Sequence, residues 1–372
     1  MKISSFNEWD PLKEVIVGVP EAKTFLTFPD GNVPDAQTME ILREIGEKAL
    51  PQSIVDEAGE DLERFCHAIE TYGAKVHRPT ARDVERLFRT PHWASTGNSI
   101  YNVRDLHLVV GNTVIESPSH MRHRYFESEG LRDIWYQYFD EGFRWIVAPK
   151  PRLIGNHIIP NVEENGVMYH KLTEEEILFE AANTVRMGRD LLYLVSLSGN
   201  YLGAKWLQEV LGPEYRVHTT EGIYRSAHLD STVIALRPGL VLLNGDRVNE
   251  KNCPPIFDSW EKIYFHDIVG YPPHVIEFHR TVQKTYHEAL NRYNVLNDLD
   301  DISSVWTGMN LFSLDPHTVV VDERQPALIK TLEQHKFTCI PLKMTNLYLM
   351  KGAFHCTTLD TVREGTLESY FD

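Results

Sequence analysis

The sequence predicts an α/β fold made by radial repetition of one supersecondary unit, closed on itself as a single domain over residues 1–372. Two observations carry this reading. A strand–turn–strand–helix–strand order recurs along the chain five times, and no long Gly/Ser-rich or Pro-rich stretch divides it. A unit of that kind buries its apolar faces only against its neighbours, so copies arrange themselves around an axis.

In chain order, the least regular copy comes first: Glu14 to Val19 as a strand, a long helix near Ile54 to Tyr72, and Lys75 to His77 as a returning strand. The next has Leu106 to Val110, a Gly111-Asn112 turn, Thr113 to Glu116, a helix from about Arg122 to Glu141, and Arg144 to Val147. Leu191 to Ser196, a break at Gly199-Asn200, the helical Ala204 to Leu211 and Tyr215 to His218 make a copy with a degraded turn. Thr232 to Leu236, Arg237-Pro238-Gly239, Leu240 to Leu243, a helix candidate around Ile256 to Trp260, and Lys262 to Phe265 follow. The clearest copy is the last. Asn310 to Leu314 and the β-branched Thr318 to Val321 flank the turn Asp315-Pro316-His317. Pro326 can open the helix Ala327 to His335, whose Leu328, Ile329 and Leu332 have helical spacing, and Phe337 to Leu342 returns as a strand. One segment stands outside the repeat. His274 to Leu296 reads as an extra amphipathic helix, with Val275, Phe278, Val282, Tyr286, Ala289, Leu290 and Tyr293 on one face.

Composition bounds the partners. Hydrophobic residues make up 42% and charged residues 24%, ordinary for a chain that buries a sizeable core. Nothing in the net charge of -16 favours nucleic acid or an anionic membrane, since such partners need a basic patch. An acidic surface agrees with a cationic small-molecule substrate. Four widely spaced cysteines, Cys66, Cys253, Cys339 and Cys356, contain no C-x-x-C pair, so free thiols in a reducing compartment are expected. The N-terminal residues lack the apolar core of a signal peptide, and no apolar run reaches membrane-spanning length. A cytoplasmic location is the expectation.

The chemistry gathers around Gly352-Ala353-Phe354-His355-Cys356-Thr357-Thr358-Leu359-Asp360. It follows an apolar, strand-like run, Leu347 to Met350, and sets a thiol between a histidine and two threonines. Such a thiol is a strong nucleophile if neighbouring positive charge lowers its pKa; a buried inert cysteine is the plainer alternative. Tyr224 to Val233 leads into a strand, and in extended chain His228 and Asp230 point to the same side. A His-x-Asp pair can hold a metal, but no recognisable zinc spacing accompanies it, and His120-Met121-Arg122-His123 is too Arg-rich to serve. Asp105 stands at a strand entrance, and Glu180 sits among the small residues of Phe179 to Asn183, where a ligand can approach closely.

Asn7-Glu8-Trp9-Asp10-Pro11-Leu12-Lys13-Glu14-Val15-Ile16-Val17-Gly18 closely resembles the opening of the arginine:glycine amidinotransferase family. So do Ala148-Pro149-Lys150-Pro151, Trp306-Thr307-Gly308-Met309-Asn310, Phe354-His355-Cys356 and the segment Arg363 to Tyr370. The resemblance covers essentially the whole chain and is strongest to the bacterial branch with the inosamine-phosphate amidinotransferases. It implies the pentein fold, a five-bladed α/β-propeller of five ββαβ modules with pseudo-five-fold symmetry. It further implies Cys356 as nucleophile, His228 as acid/base and Glu180 as the residue that orients the guanidinium and the histidine. Asp105 and Asp230 match the carboxylates that bind the donor guanidinium, Arg247 the arginine that takes the donor α-carboxylate, and Ser304 a further polar contact.

The implied reaction moves the amidino group of L-arginine through a covalent Cys356 intermediate to a primary amine, releasing ornithine. It needs no metal or organic cofactor, and relatives imply a homodimer. Inosamine phosphate, lysine, glycine and natural-product amines all remain open as acceptors; Arg225 and Lys351 are the candidate cations for a phosphate. Two departures bear on the reading. Glu180 stands where the family usually has aspartate and where related deiminases carry glutamate, so hydrolysis of the same intermediate is the alternative, and a catalytically dead binding propeller is a third. Lys351-Gly352-Ala353 replaces the family's three glycines before the nucleophile loop.

Overall fold

The computed structural model describes residues 2–21, 51–84, 86, 88–95, 97–155, 157–164, 167–281, 284 and 303–371. Among them, five three-stranded sheets share one pattern, an antiparallel pair followed by a parallel strand. His107–Val110, Thr113–Glu116 and Arg144–Val147 form the first sheet. Thr184–Met187, Asp190–Val195 and Arg216–Glu221 form the second, and Val233–Arg237, Leu240–Asn244 and Glu261–Phe265 the third. Phe312–Asp315, Thr318–Asp322 and Thr338–Leu342 form the fourth. The fifth joins the two ends of the chain. Thr358–Arg363 runs antiparallel to Leu12–Val17, which pairs in parallel with Lys75–His77.

The near-continuous apolar strands follow from burial on both faces. Alternate residues of one strand enter different hydrophobic clusters. Val241 and Leu243 pack toward the second sheet, whereas Leu240 and Leu242 pack toward the fourth. Ile16 meets Val109 and Val114 of the first sheet, while Val15 and Val17 meet Phe312 and Val320 of the fourth. Leu108, Val110 and Ile115 join the first sheet to Leu191, Tyr193 and Val195 of the second. Each sheet therefore shares one cluster with the sheet before it and another with the sheet after it. The helix Gln52–Tyr72 covers the fifth sheet with Val55, Ala58, Leu62, Phe65 and Ile69, spaced at three and four residues.

Several local expectations are corrected. The hairpin turn of the second sheet lies at Gly188-Arg189, so Thr184–Met187 is a strand that periodicity left out. Gly188 has φ 70, and a Cβ there would lie 2.2 Å from the Glu368 carbonyl oxygen. Gly199-Asn200 is not a turn but a helix start: the Asn200 side chain accepts from the Gly203 amide and caps Tyr201–Leu211. The helix expected from Arg122 to Glu141 is α-helical only over Arg132–Phe139, preceded by two 3₁₀ turns, because Arg124 and Glu127 turn inward as a buried pair. Around Ile256 only a 3₁₀ turn, Pro255–Phe257, forms before the chain enters the strand Glu261–Phe265. Leu347 to Met350 is a set of turns rather than a strand, with the Met350 amide donating to Asn346. Of the extra helix expected over His274 to Leu296, residues 273–281 are helical; the rest lies outside the described residues.

A buried ion network holds the fifth sheet in place. Asp360 is fully buried and accepts from Arg104 Nη2 at 2.6 Å, Arg186 Nη2 at 2.7 Å, Arg363 Nε at 2.7 Å and Ser5 Oγ at 2.8 Å. Arg186 also forks onto Glu8, with both bonds at 2.8 Å, and Arg363 reaches the Ser313 carbonyl of the fourth sheet. Burial opposes the Asp360 charge, but Arg186, Arg363 and Arg104 hold its carboxyl well below the usual range. Asp360→Asn leaves those arginines under-compensated, and we expect a loss of about 3–5 kcal/mol in urea unfolding. A loss below about 1 kcal/mol would show that the network merely accompanies the closure.

Candidate active site

The residues expected to carry chemistry enter from equivalent places. Asp105, Glu180, Asp230 and Cys356 each sit just ahead of the first strand of one sheet, and Asn310, not itself expected, takes that place in the fourth sheet. Hydrogen bonds run from each of these entrances to the next. Arg104 N donates to the Cys356 carbonyl at 3.3 Å, Ala181 N to Asp105 at 2.6 Å, and Leu229 N to Ala182 at 3.1 Å. Asn310 Nδ2 donates to the Asp230 carbonyl at 3.4 Å, and Asn310 Oδ1 accepts from the Cys356 amide at 3.1 Å. The sequence of bonds returns to where it began. Repetition of one local geometry thus brings together residues spread over some two-thirds of the chain.

Loop stereochemistry explains how Cys356 is presented. Lys351 adopts φ 56, the left-handed region in which a side chain is disfavoured. Gly352 is required by space, since a Cβ there would lie 2.1 Å from Asn102 Oδ1. Ala353, the other departure from three glycines, is buried in the core beside Phe354. Asn310 Oδ1 accepts both the His355 and Cys356 amides, at 3.0 Å and 3.1 Å, and Arg104 Nε holds the His355 carbonyl at 2.9 Å.

The charged groups fall into two linked sets. His228 Nε2 lies 2.6 Å from Glu180 Oε2, and its Nδ1 lies 3.5 Å from Asp105 Oδ1. Asp230 Oδ2 accepts from Cys356 Sγ at 3.1 Å and from His355 Nδ1 at 3.1 Å. Residues 224–232 are turns, not extended chain, yet His228 and Asp230 both face the site, as expected. Burial works against a charged His228, but Asp105 and Glu180 outweigh it and raise its pKa to about 9. Because the folded value exceeds the ordinary one near 6.5, His228 adds stability that is full below about pH 6.5 and lost as pH rises through about 9. Burial also opposes the Glu180 charge, while Arg124 and His228 hold it low. Asp230 is held low by His355 and His228 against its own burial.

Cys356 is 6% exposed, and burial, then Asp230, then Asp105 push its thiol well above the ordinary range. These surroundings disfavour the thiolate. Arg247 and Ser304 are joined to each other, with Arg247 Nη2 donating to Ser304 Oγ at 3.1 Å. Arg247 also donates to Thr232 Oγ1 at 2.7 Å and stacks on Tyr224 at 3.6 Å. Its hydrogen-bond partners Ser231, Thr232 and Ser304 are all uncharged, and the carboxylates of Asp246 and Asp230 lie near enough to act on its charge. Arg225 is otherwise placed: it pairs with Glu164 at 2.7 Å and stacks on Tyr169.

Asp105, Glu180 and His228 bring three potential ligand atoms within 4.8 Å of one another. A metal would need neutral His228, and the two carboxylates favour the protonated imidazole, so metal binding there would have to displace a proton. Sequence reasoning missed Ser119, whose hydroxyl donates to Glu180 Oε1, and Arg124, which touches both Asp105 and Glu180. It quoted Asn310 only as part of a motif. Arg124 and Glu127 stand three residues apart, but nothing in the local sequence reveals the links of Ser119 and Arg124 to Glu180 or of Asn310 to Cys356.

Known structures assign the mixed α/β arrangement to the pentein fold. An inosamine-phosphate amidinotransferase from Streptomyces griseus matches with a TM-score of 0.84 at 40% identity, covering 100% of this chain and 99% of that one. Inosamine-phosphate amidinotransferase 1 of Streptomyces glaucescens is 40% identical over 375 residues, 99% of each chain. The L-arginine:L-lysine amidinotransferase of Pseudomonas savastanoi pv. phaseolicola is 32% identical over 374 residues, 99% of this chain and 96% of that one. This chain belongs to the amidinotransferase family and is an enzyme that transfers amidino groups. No protein-family model matches it.

Removing the negative charge beside the thiol makes a counterintuitive outcome testable. Asp230→Asn lowers the Cys356 pKa, so iodoacetamide should alkylate the empty protein about tenfold faster at pH 8. An unchanged or slower rate would mean that Asp230 does not govern the thiol.

Proposed function

We propose that the donor is L-arginine and that its amidino group passes through Cys356 to a primary amine. The observation that carries this is the thiol set beside Asp230 while Asp105 and Glu180 flank His228, a negative cradle around a nucleophile. A guanidinium is planar, permanently charged and a poor electrophile, so carboxylates must supply charge and direction together. Asp105 and Asp230 bind the donor guanidinium, Glu180 orients it with His228, and Arg247, steadied by Ser304, takes the α-carboxylate.

The bound cation offsets Asp230, the Cys356 thiol loses its proton to water, and the thiolate attacks the guanidino carbon. His228, protonated below about pH 9, gives its proton to the departing nitrogen as the C–N bond breaks, and ornithine leaves. The amidino-Cys356 intermediate remains with neutral His228. An acceptor amine then adds to the same carbon, His228 takes a proton from it, and the C–S bond breaks to return the thiolate.

We favour an inosamine phosphate over lysine or glycine as acceptor, supported by the 40% identity to inosamine-phosphate enzymes against 32% to the lysine enzyme. The five matching sheets and their shared clusters support a five-bladed propeller with pseudo-five-fold symmetry, forming one domain with an inserted helix near 274–296. Four free cysteines agree with the cytoplasm, and no helix among the described residues is long and apolar enough to cross a membrane. A homodimer is the assembly we propose by kinship.

Incubation with labelled arginine and a panel of amines tests the reading. Ornithine and an amidinated acceptor are expected, and Cys356→Ala should form neither; citrulline instead of ornithine would make the enzyme a hydrolase. The pH profile checks His228. Arginine turnover should fall above about pH 9, and Glu180→Gln should move that limb to lower pH while reducing the rate about 10²–10⁴-fold. A limb that stays put would assign the proton transfer to another group.

A further inference from the structure

Arg124 offers a guanidinium that belongs to the protein yet sits against the carboxylates expected to receive the donor. Its side chain is 5% exposed. Nε and Nη2 fork onto Glu127, both at 2.7 Å, and Nη2 also faces the Asn102 carbonyl at 3.4 Å. The fork fixes the guanidinium plane, which aims Nη1 at Asp105 Oδ2, 2.7 Å away, with Glu180 Oε2 at 3.5 Å. We propose that Arg124 is a positioning residue of the transfer site, which, with Ser119, brackets Asp105 and Glu180 and reserves Asp105 Oδ1 for the donor. This rests on the donor reading above.

The free oxygen is the observation that makes the bracket functional. Asp105 Oδ1 is buried without a hydrogen-bond partner, 3.5 Å from His228 Nδ1. A buried carboxylate oxygen left so is costly unless a ligand N–H satisfies it. Arg124 prevents the carboxylate from swinging to satisfy itself elsewhere. Glu180 is treated in the same way. Ser119 Oγ donates to its Oε1, and the Met121 amide in turn donates to Ser119 Oγ at 3.0 Å. The glutamate, longer than the family's usual aspartate, is thus held at one oxygen by Ser119 and at the other by His228 and Arg124. Arg124 turns all its N–H groups toward protein acceptors, so it acts through the carboxylates and not on the substrate.

Arginine binding to the Cys356→Ala protein, with turnover by the Cys356 enzyme, tests the bracket. Arg124→Lys keeps the charge and drops the fork; Arg124→Gln with Glu127→Gln removes both charges without orphaning Glu127. Ser119→Ala is the mild third variant, small enough to leave folding intact. We expect both Arg124 variants to weaken arginine binding at least tenfold with a matching rise in KM. The alkaline limb should move up only in the double variant, where His228 loses a nearby cation. Ser119→Ala should lower kcat several-fold with little change in KM. Wild-type arginine affinity in a folded Arg124 variant would overturn the inference, as would an unchanged kcat for Ser119→Ala if the Arg124 variants do not fold. If Cys356→Ala itself binds no arginine, the donor reading fails instead.

Discussion

The structure depends on the way Asp360 is neutralised. A carboxylate with no access to water, surrounded by three guanidinium groups, is strongly unfavourable unless every partner arrives together. Those partners come from separate sheets, and Ser5 and Glu8 come from the opposite end of the chain. The network therefore acts as a test of assembly: it is satisfied only when the first and last strands pair. Arg104 belongs to it and also holds the His355 carbonyl, so the closure of the fold and the placement of the nucleophile use one side chain.

The electrostatics of the site are arranged against the thiolate until a cation is present. Burial, Asp230 and Asp105 all raise the Cys356 pKa, whereas the same carboxylates favour a protonated His228. His228 and Cys356 are thus both favoured in their protonated forms. In the mechanism we propose, a planar cation that neutralises Asp230 and Asp105 changes the balance for sulfur, so substrate recognition and thiol activation become one event. It also protects the thiol from adventitious oxidants, since the thiolate is the reactive form.

Much of this was legible in the sequence, and the gaps have physical causes. The strand pairs at Thr318 to Val321 and Leu240 to Leu243 announce themselves because both faces are buried and the runs are unbroken. Thr184–Met187 escaped because Arg186, in its middle, reads as a surface residue, although it is fully enclosed by Glu8 and Asp360. Thr358–Arg363 escaped for the same reason, with Asp360 and Arg363 interrupting the pattern and the pairing partner lying more than three hundred residues away. Cys356, His228, Glu180 and Asp230 could be named from family likeness, and Asp105 with them. Ser119 and Asn310 reach groups carried by other sheets, and Arg124 joins Glu127 and Asp105 of its own unit to Glu180 of the next, a placement that no local pattern specifies.

The pairing of Thr358–Arg363 with Leu12–Val17 has a consequence for how the enzyme comes into being. A polypeptide emerging from the ribosome can build its middle sheets early, but its first strand must wait, unpaired on one side, for nearly everything else to be made. The thiol arrives in that same late segment. A nascent chain therefore holds neither the closed fifth sheet nor Cys356 until nearly the whole sequence has been made.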